Sequence, residues 1–146
     1  MKIVVLKFGG TSVGTIEKIK KVTDIIIEHK KKKNKVIVVS SAMSGVTNDL
    51  IKKSKQISNN FIDSEYDVLV SSGEQVACSL IAGRLNHKGF KSRSWLGWQI
   101  PIFTNGPYTN SRIQQVSKNK LLRFLKEGGI PIITGFQGIN MNERAV

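Results

Sequence analysis

Short unbroken apolar runs alternate along this chain with stretches in which apolar residues recur every three or four positions. Ile3 to Leu6 (IVVL) is continuous and β-branched, the pattern of a strand buried on both faces of a parallel sheet. Ile16, Ile19, Val22 and Ile26 then fall at helical spacing. Val36 to Val39 (VIVV) predicts a second buried strand, closed by SSAMSG. A further helix is marked by Val46, Leu50, Ile51 and Ile57, with lysines on its outer side.

From Tyr66 to Leu85 the period is helical again, and Gly73 is expected to kink or divide the segment, since glycine costs about 1 kcal/mol in a helix interior. Phe90 to Ser94 reads as a weaker third strand. The Gly- and Pro-rich stretch from Trp95 to Arg112 reads as loop with room for a short hairpin. Ser117 is the expected cap of a last helix carrying Leu121, Leu122 and Leu125 and stopping at Gly128-Gly129. Ile130 to Thr134 predicts a fourth buried strand, with Pro131 near its beginning, where proline is tolerated. Strands alternating with helices argue for an α/β fold: a mostly parallel sheet with helices on both faces. The final FQGINMNERAV leaves a strand, enters a polar turn and ends with Ala145-Val146 unpartnered, so the chain reads as truncated within a domain.

Composition narrows the class. A chain of 146 residues suffices for one domain, and 40% hydrophobic with 23% charged residues describes a globular protein rather than a disordered one. The longest apolar runs are strand-sized, so no membrane span is expected, and the start of the chain lacks a signal-peptide pattern. Cys78 is the single cysteine, which excludes an internal disulfide and fits a reducing, cytoplasmic setting. The net charge of +13 admits two readings: attraction to nucleic acid or other polyanions, or lysine-rich solvated surface. The longest basic run, His29 to Lys35, falls at a predicted helix end, where cations complement the helix dipole. No zinc-finger, helix-turn-helix or RNA-binding aromatic pattern accompanies it.

In open parallel sheets, ligands sit beyond the carboxyl ends of the strands. Three loops there carry candidate chemistry: KFGGTS after the first strand, SSAMSGVTN after the second and TGFQG after the fourth. Glycines admit backbone N–H groups close to an anion, and a following helix N-terminus favours negative charge. Lys7 adds a mobile cation, while Thr11, Ser12, Ser40, Ser41, Ser44 and Thr47 add hydroxyls. The set suits phosphoryl transfer, in which positioning and charge neutralisation supply most of the catalysis. Taken singly the pieces are ordinary: the first loop lacks the P-loop spacing, serines before a helix commonly cap it, and a helical glutamate such as Glu74 is commonly exposed. Cys78, set among Val76, Ala77, Leu80 and Ile81, reads as a small core residue. His29 and His87 have no partners at ligand spacing, so no protein-only metal site is expected. Trp95 and Trp98, in a loop, read as packing residues.

The order of KFGGTSV, VVSSAMSGVTN, SSGEQ, LGWQIPIFTN and GFQG closely resembles the aspartokinases, members of the amino-acid kinase family. The resemblance runs over the whole of residues 1–146 but matches only the N-terminal portion of that family's kinase domain; the nucleotide-binding half, the C-terminal regulatory domains and the Gly-Arg-Gly-Gly-Ser-Asp segment are absent. It implies transfer of the terminal phosphoryl group of ATP to the side-chain carboxylate of L-aspartate, giving 4-phospho-L-aspartate on the route to lysine, threonine and methionine. It implies Lys7 as the catalytic cation at the phosphates and Phe8, Gly9 and Gly10 as the loop around them. By the same resemblance Ser12 and Ser41 hold phosphate or substrate, Thr47 contacts the amino acid, and Glu74 engages its ammonium group. ATP with Mg2+ carried on the nucleotide is the implied cofactor. L-aspartate is the implied partner, with a separately encoded remainder of the enzyme as one way to complete the fold, in a family that is often oligomeric. With the arginine of the missing segment absent, this polypeptide alone is expected to be inactive. The alternative is a basic nucleic-acid-binding module without catalytic activity.

Overall fold

The computed structural model describes residues 2–146. In chain order the elements are β1 (Ile3–Phe8), α1 (Ile16–Lys31), β2 (Lys35–Ser40), α2 (Val46–Ile57), α3 (Asp63–His87), β3 (Ser92–Trp95), β4 (Ile102–Asn105), β5 (Arg112–Val116), α4 (Asn119–Lys126) and β6 (Ile130–Thr134). β1, β2, β6 and β3 form one sheet in that spatial order, every pairing parallel. β4 and β5 form a separate antiparallel hairpin, the one for which the loop between β3 and α4 has room.

Alternation along the buried strands divides the apolar residues between the sheet's two faces. Val36, Val38, Ile130 and Ile132 pack with Ile19, Val22 and Ile26 of α1 and with Ala77, Ile81 and Leu85 of α3. The intervening Ile37, Val39 and Ile133 pack with Trp95, Leu121 and Phe124, so α4 covers the opposite face. Fully burying a residue of the Ile81 or Leu85 kind stabilises by about 1.5–3 kcal/mol. Thr15 caps α1, its side chain accepting from the Lys18 amide at 3.2 Å, and His29, Lys30 and Lys31 occupy the last turn. α1 is tied to α3 where Arg84 Nε donates to Thr23 Oγ1 at 2.7 Å.

Several sequence expectations change in three dimensions. β1 is an edge strand whose residues alternate between half-buried and exposed, rather than a strand buried on both faces. The strand order explains this: α4 lies over β6 and β3, and β1 is two strands, about 10 Å, from β6, roughly a helix diameter away. Gly73 does not divide α3, which runs unbroken through 25 residues. A Cβ at Gly73 would stand 3.0 Å from Val46 Cγ1 and 3.2 Å from Ala42 Cβ, so the glycine lets α2 and the loop before it approach. Ser117 is not the cap of α4: Lys118 occupies that position with no side-chain bond, and the Ser117 amide instead donates to the Pro101 carbonyl at 2.9 Å. Ile57, read with the apolar face of α2, is exposed at the helix end. The closing segment is partnered, because the Gly138 and Val146 amides and carbonyls exchange hydrogen bonds of 2.9 and 3.2 Å. Asn140 Oδ1 accepts from the Asn142 and Arg144 amides, holding that turn, and Arg144 pairs with Glu65 of α3. Among the described residues no helix is long and apolar enough to cross a membrane.

Candidate active site

Register brings the three marked loops together. Phe8 lies opposite Ser40, and Ser40 opposite Thr134, so β1, β2 and β6 end level with one another. The ladder continues into the loops, where the Ser41 amide donates to the Phe8 carbonyl at 3.0 Å and the Gly135 amide to the Ser40 carbonyl at 3.1 Å. After Phe8 the chain makes two tight turns, closed by the Ser12 amide on the Gly9 carbonyl at 2.9 Å and the Val13 amide on the Gly10 carbonyl at 3.3 Å. This turn packs closely on the loop after β2 through its glycines. A Cβ at Gly10 would sit 3.0 Å from the Ala42 carbonyl oxygen, and one at Gly14 would sit 2.9 Å from Ser44 Cβ.

α3 carries Glu74 beneath these strand ends, where it is only 4% exposed. Its carboxylate accepts a hydrogen bond from the Phe136 amide, and the Gly135 amide and Ser41 hydroxyl lie close enough to favour its charge. Burial raises its pKa above the ordinary carboxylate value, and these groups together with the Lys7 charge only partly oppose that. A cavity of about 320 Å³ opens beside it, with Ser41, Thr47, Tyr66 and Glu74 as polar walls and Ile51, Val70 and Phe136 as apolar ones. A buried carboxylate facing such a space suits a cationic group, and the hydroxyls suit the oxygens of the same small molecule.

Gln137 holds the loop after β6 in place. Its Oε1 accepts from the Gly97 amide and the Thr134 hydroxyl, each at 3.0 Å, while its Nε2 donates to the Ser71 carbonyl of α3 at 3.1 Å. The Phe136 amide is thereby fixed over Glu74. Two turns earlier on α3, Asp67 is also buried and accepts from the Thr109 amide at 2.8 Å, tying the β4–β5 hairpin to the helix. Burial raises the Asp67 pKa, that bond opposes the rise, and Asp63 adds to it. One turn after Glu74, the Cys78 thiol is pushed up to about 12 by burial and then by the Glu74 charge, which leaves it unreactive near neutral pH. It packs as a small core residue.

Of the residues singled out in the sequence, the structure brings Ser41, Thr47 and Glu74 into one cavity, with Lys7 near enough for its charge to act on Glu74. Phe8 is half-buried and packs against the core beneath the loops. Gly9, Gly10 and Ser12 form the turn, and Ser12 is exposed and does not line the cavity. Tyr66, Phe136 and Gln137 went unassigned in the sequence reading, although GFQG had marked the loop carrying two of them. Among the described residues no group of three or more His, Cys, Asp and Glu side chains could hold a metal ion. The loop donors are amides, hydroxyls and one ammonium, a set that fits phosphate oxygens.

A parallel sheet with glycine- and serine-rich loops at its carboxyl end defines an α/β protein of the class whose ligands sit beyond the strand ends. The chain belongs to the amino acid kinase family, whose sequence pattern matches residues 2–145. It is 47% identical over 139 residues to the aspartokinase of Geobacillus stearothermophilus, an alignment covering 95% of this chain and 34% of that protein. The crystal structure of aspartate kinase from Synechocystis superposes with a TM-score of 0.79 at 34% identity, covering 100% of this chain and 24% of that one. E. coli aspartokinase III in complex with aspartate and ADP superposes with a TM-score of 0.83 over 100% of this chain and 43% of its own. At 21% identity that likeness shows the fold. The chain thus spans about a third of the length of the curated relatives it matches.

Proposed function

We propose that this chain supplies the phosphate loop and the amino-acid pocket of an aspartate kinase, which transfers the terminal phosphoryl group of ATP to the side-chain carboxylate of L-aspartate. The carrying observation is the buried Glu74 carboxylate, facing a cavity with Ser41 and Thr47 beside Lys7 at the level ends of three parallel strands. The aspartokinase relatives, and the aspartate and ADP bound by the E. coli enzyme, support the choice of substrate.

In this reading Glu74 engages the substrate ammonium and Thr47 contacts the amino acid. Ser41 and Ser12 hold phosphate or substrate, and Phe8, Gly9 and Gly10 shape the loop around the phosphates. Lys7 neutralises charge on the transferring group. An acceptor carboxylate approaching a triphosphate is a meeting of like charges, which fixed donors and a cation make feasible. Magnesium, which neutralises phosphate charge when bound, arrives on the nucleotide. The chemistry is cytoplasmic and belongs to lysine, threonine and methionine formation. Turnover requires the other two-thirds of the length of its relatives, which by the family resemblance carries the arginine of the Gly-Arg-Gly-Gly-Ser-Asp segment.

Thermal unfolding of the 146-residue chain tests the assignment. L-aspartate should raise the midpoint, by the equivalent of about 2.7 kcal/mol at a hundredfold excess over Kd. Succinate, which has both carboxylates and no ammonium, should not, and Glu74→Gln should lose the response. No shift with L-aspartate, or equal shifts with succinate, would refute the pocket assignment. ATP- and aspartate-dependent hydroxamate formation by the chain alone, abolished in Lys7→Ala, would overturn the requirement for the remainder. Tight filter binding of nucleic acid with a steep salt dependence would favour the binding-module alternative.

A further inference from the structure

On the sheet face opposite Glu74, between β3 and α4, lies a cavity of about 470 Å³ lined by Arg93, Trp95, Trp98, Lys120, Arg123 and Phe124. Its size is that of a small-molecule site. Two features set it apart from an ordinary surface hollow. The first is uncompensated charge. Glu127, the one carboxylate at its rim, is already taken by Lys91 at 2.7 Å and Arg123 at 3.7 Å. Arg93 and Lys120 have no carboxylate within ion-pair distance among the described residues, and Lys120 Nζ donates only to the Gln99 carbonyl, at 3.2 Å.

The second feature is an aromatic wall. Trp95 and Phe124 meet edge to face with centroids 5.7 Å apart, and the Arg93 guanidinium lies 4.2 Å over the Trp95 ring. Trp98 stands 63% exposed at the mouth, leaving most of its apolar ring surface open.

We propose that this cavity binds a planar aromatic ring bearing an anionic group, a carboxylate or a phosphate monoester. The ring covers the exposed Trp98 surface, and the anion supplies the counter-charge that Arg93 and Lys120 lack. Arginine stacked on an indole is preorganised for this, since its planar guanidinium offers two donors to one carboxylate while still lying on the ring. The site is independent of the kinase reading: it lies across the sheet from Glu74 and shares no lining residue with the cavity there.

The experiment uses the two tryptophans of the chain, both of which line this cavity, as reporters. Their indole N–H signals in a ¹H–¹⁵N correlation spectrum are followed through titrations with benzoate, phenyl phosphate and neutral benzamide. Benzoate or phenyl phosphate should move both signals saturably, and which of the two binds tighter separates carboxylate from phosphate. Benzamide should bind about tenfold more weakly or worse, as should the double variant Arg93→Gln, Lys120→Gln, a loss of about 1.4 kcal/mol. Trp98→Ala removes only an exposed ring, so it keeps the test open if the double variant does not fold. It should weaken binding while the Trp95 signal remains. Static indole signals, an equal response to benzamide, unchanged affinity in the variants, or a chain whose spectrum shows no packed core would each overturn the proposal.

Discussion

Glu74 carries a carboxylate to a place where burial opposes its charge, and the amides of Gly135 and Phe136, the Ser41 hydroxyl and Lys7 only partly answer it. Its folded pKa therefore lies above the reference value of 4.5. In the window between the two values the native state binds more protons than the unfolded one, so stability falls as pH rises. The contribution is fully present below 4.5 and is lost as pH climbs through the raised folded value. Asp67 adds to the slope in the same direction. Glu74→Gln removes only the Glu74 part. The plot of unfolding midpoint against pH, from about 4.5 upward, should consequently be less steep for the variant than for the parent chain, whatever the offset between them. Parallel plots from thermal denaturation would show that Glu74 is no more strained than a surface glutamate. On the proposed function, an ammonium entering the cavity relieves a cost that burial of the Glu74 charge has already imposed.

At the scale of elements, α3 decides the site, since it presents Glu74, Asp67 and the Ser71 carbonyl from one continuous helix. Its continuity at Gly73 depends on the absence of a side chain facing Val46, Ala42 and Leu50. Gly73→Val adds methyl groups to that filled space and a β-branched residue to a helix interior. It should destabilise the chain by about 1–3 kcal/mol, read as a lower urea midpoint at unchanged m-value. A neutral result would mean that α2 moves away freely. The helical cost of glycine is visible in one dimension and its packing partner is not, which is why Gly73 reads as a break in the sequence. The same asymmetry explains Ser117, whose amide is claimed by Pro101, 16 residues earlier in the chain, and Gln137, whose three partners come from three different segments. Periodicity, by contrast, is local. It made α1, the four parallel strands and the apolar side of α4 legible, and the glycine and serine loops at the strand ends with them. Glu74 was legible only through the SSGEQ resemblance, because nothing in the helical pattern itself distinguishes it from a solvated glutamate.

For the molecule as a whole, the least settled feature is the β1 edge. An unbroken apolar run is the same string whether the strand lies at the centre or the margin of a sheet, and here it lies at the margin. Ile3 is 49% exposed and Val5 60% exposed, on the same face as Ile37 but beyond the part of it that α4 covers. Such an edge presents unpaired backbone groups beside apolar side chains, the combination that templates strand addition. A single chain in solution is therefore expected to self-associate through β1, and an added strand from the rest of the enzyme would use the same edge. Val5→Lys should weaken self-association by about tenfold or more, near 1.4 kcal/mol, while altering monomer stability by no more than about 0.5 kcal/mol, because the position is largely solvated. Sedimentation over a range of concentrations measures the first quantity and urea unfolding the second. Val5→Thr, which keeps the strand preference and adds no charge, separates loss of apolar surface from repulsion between chains already at +13. If both variants associate as the parent does, the seam lies elsewhere. If only the lysine variant dissociates, charge rather than the exposed apolar edge controls assembly.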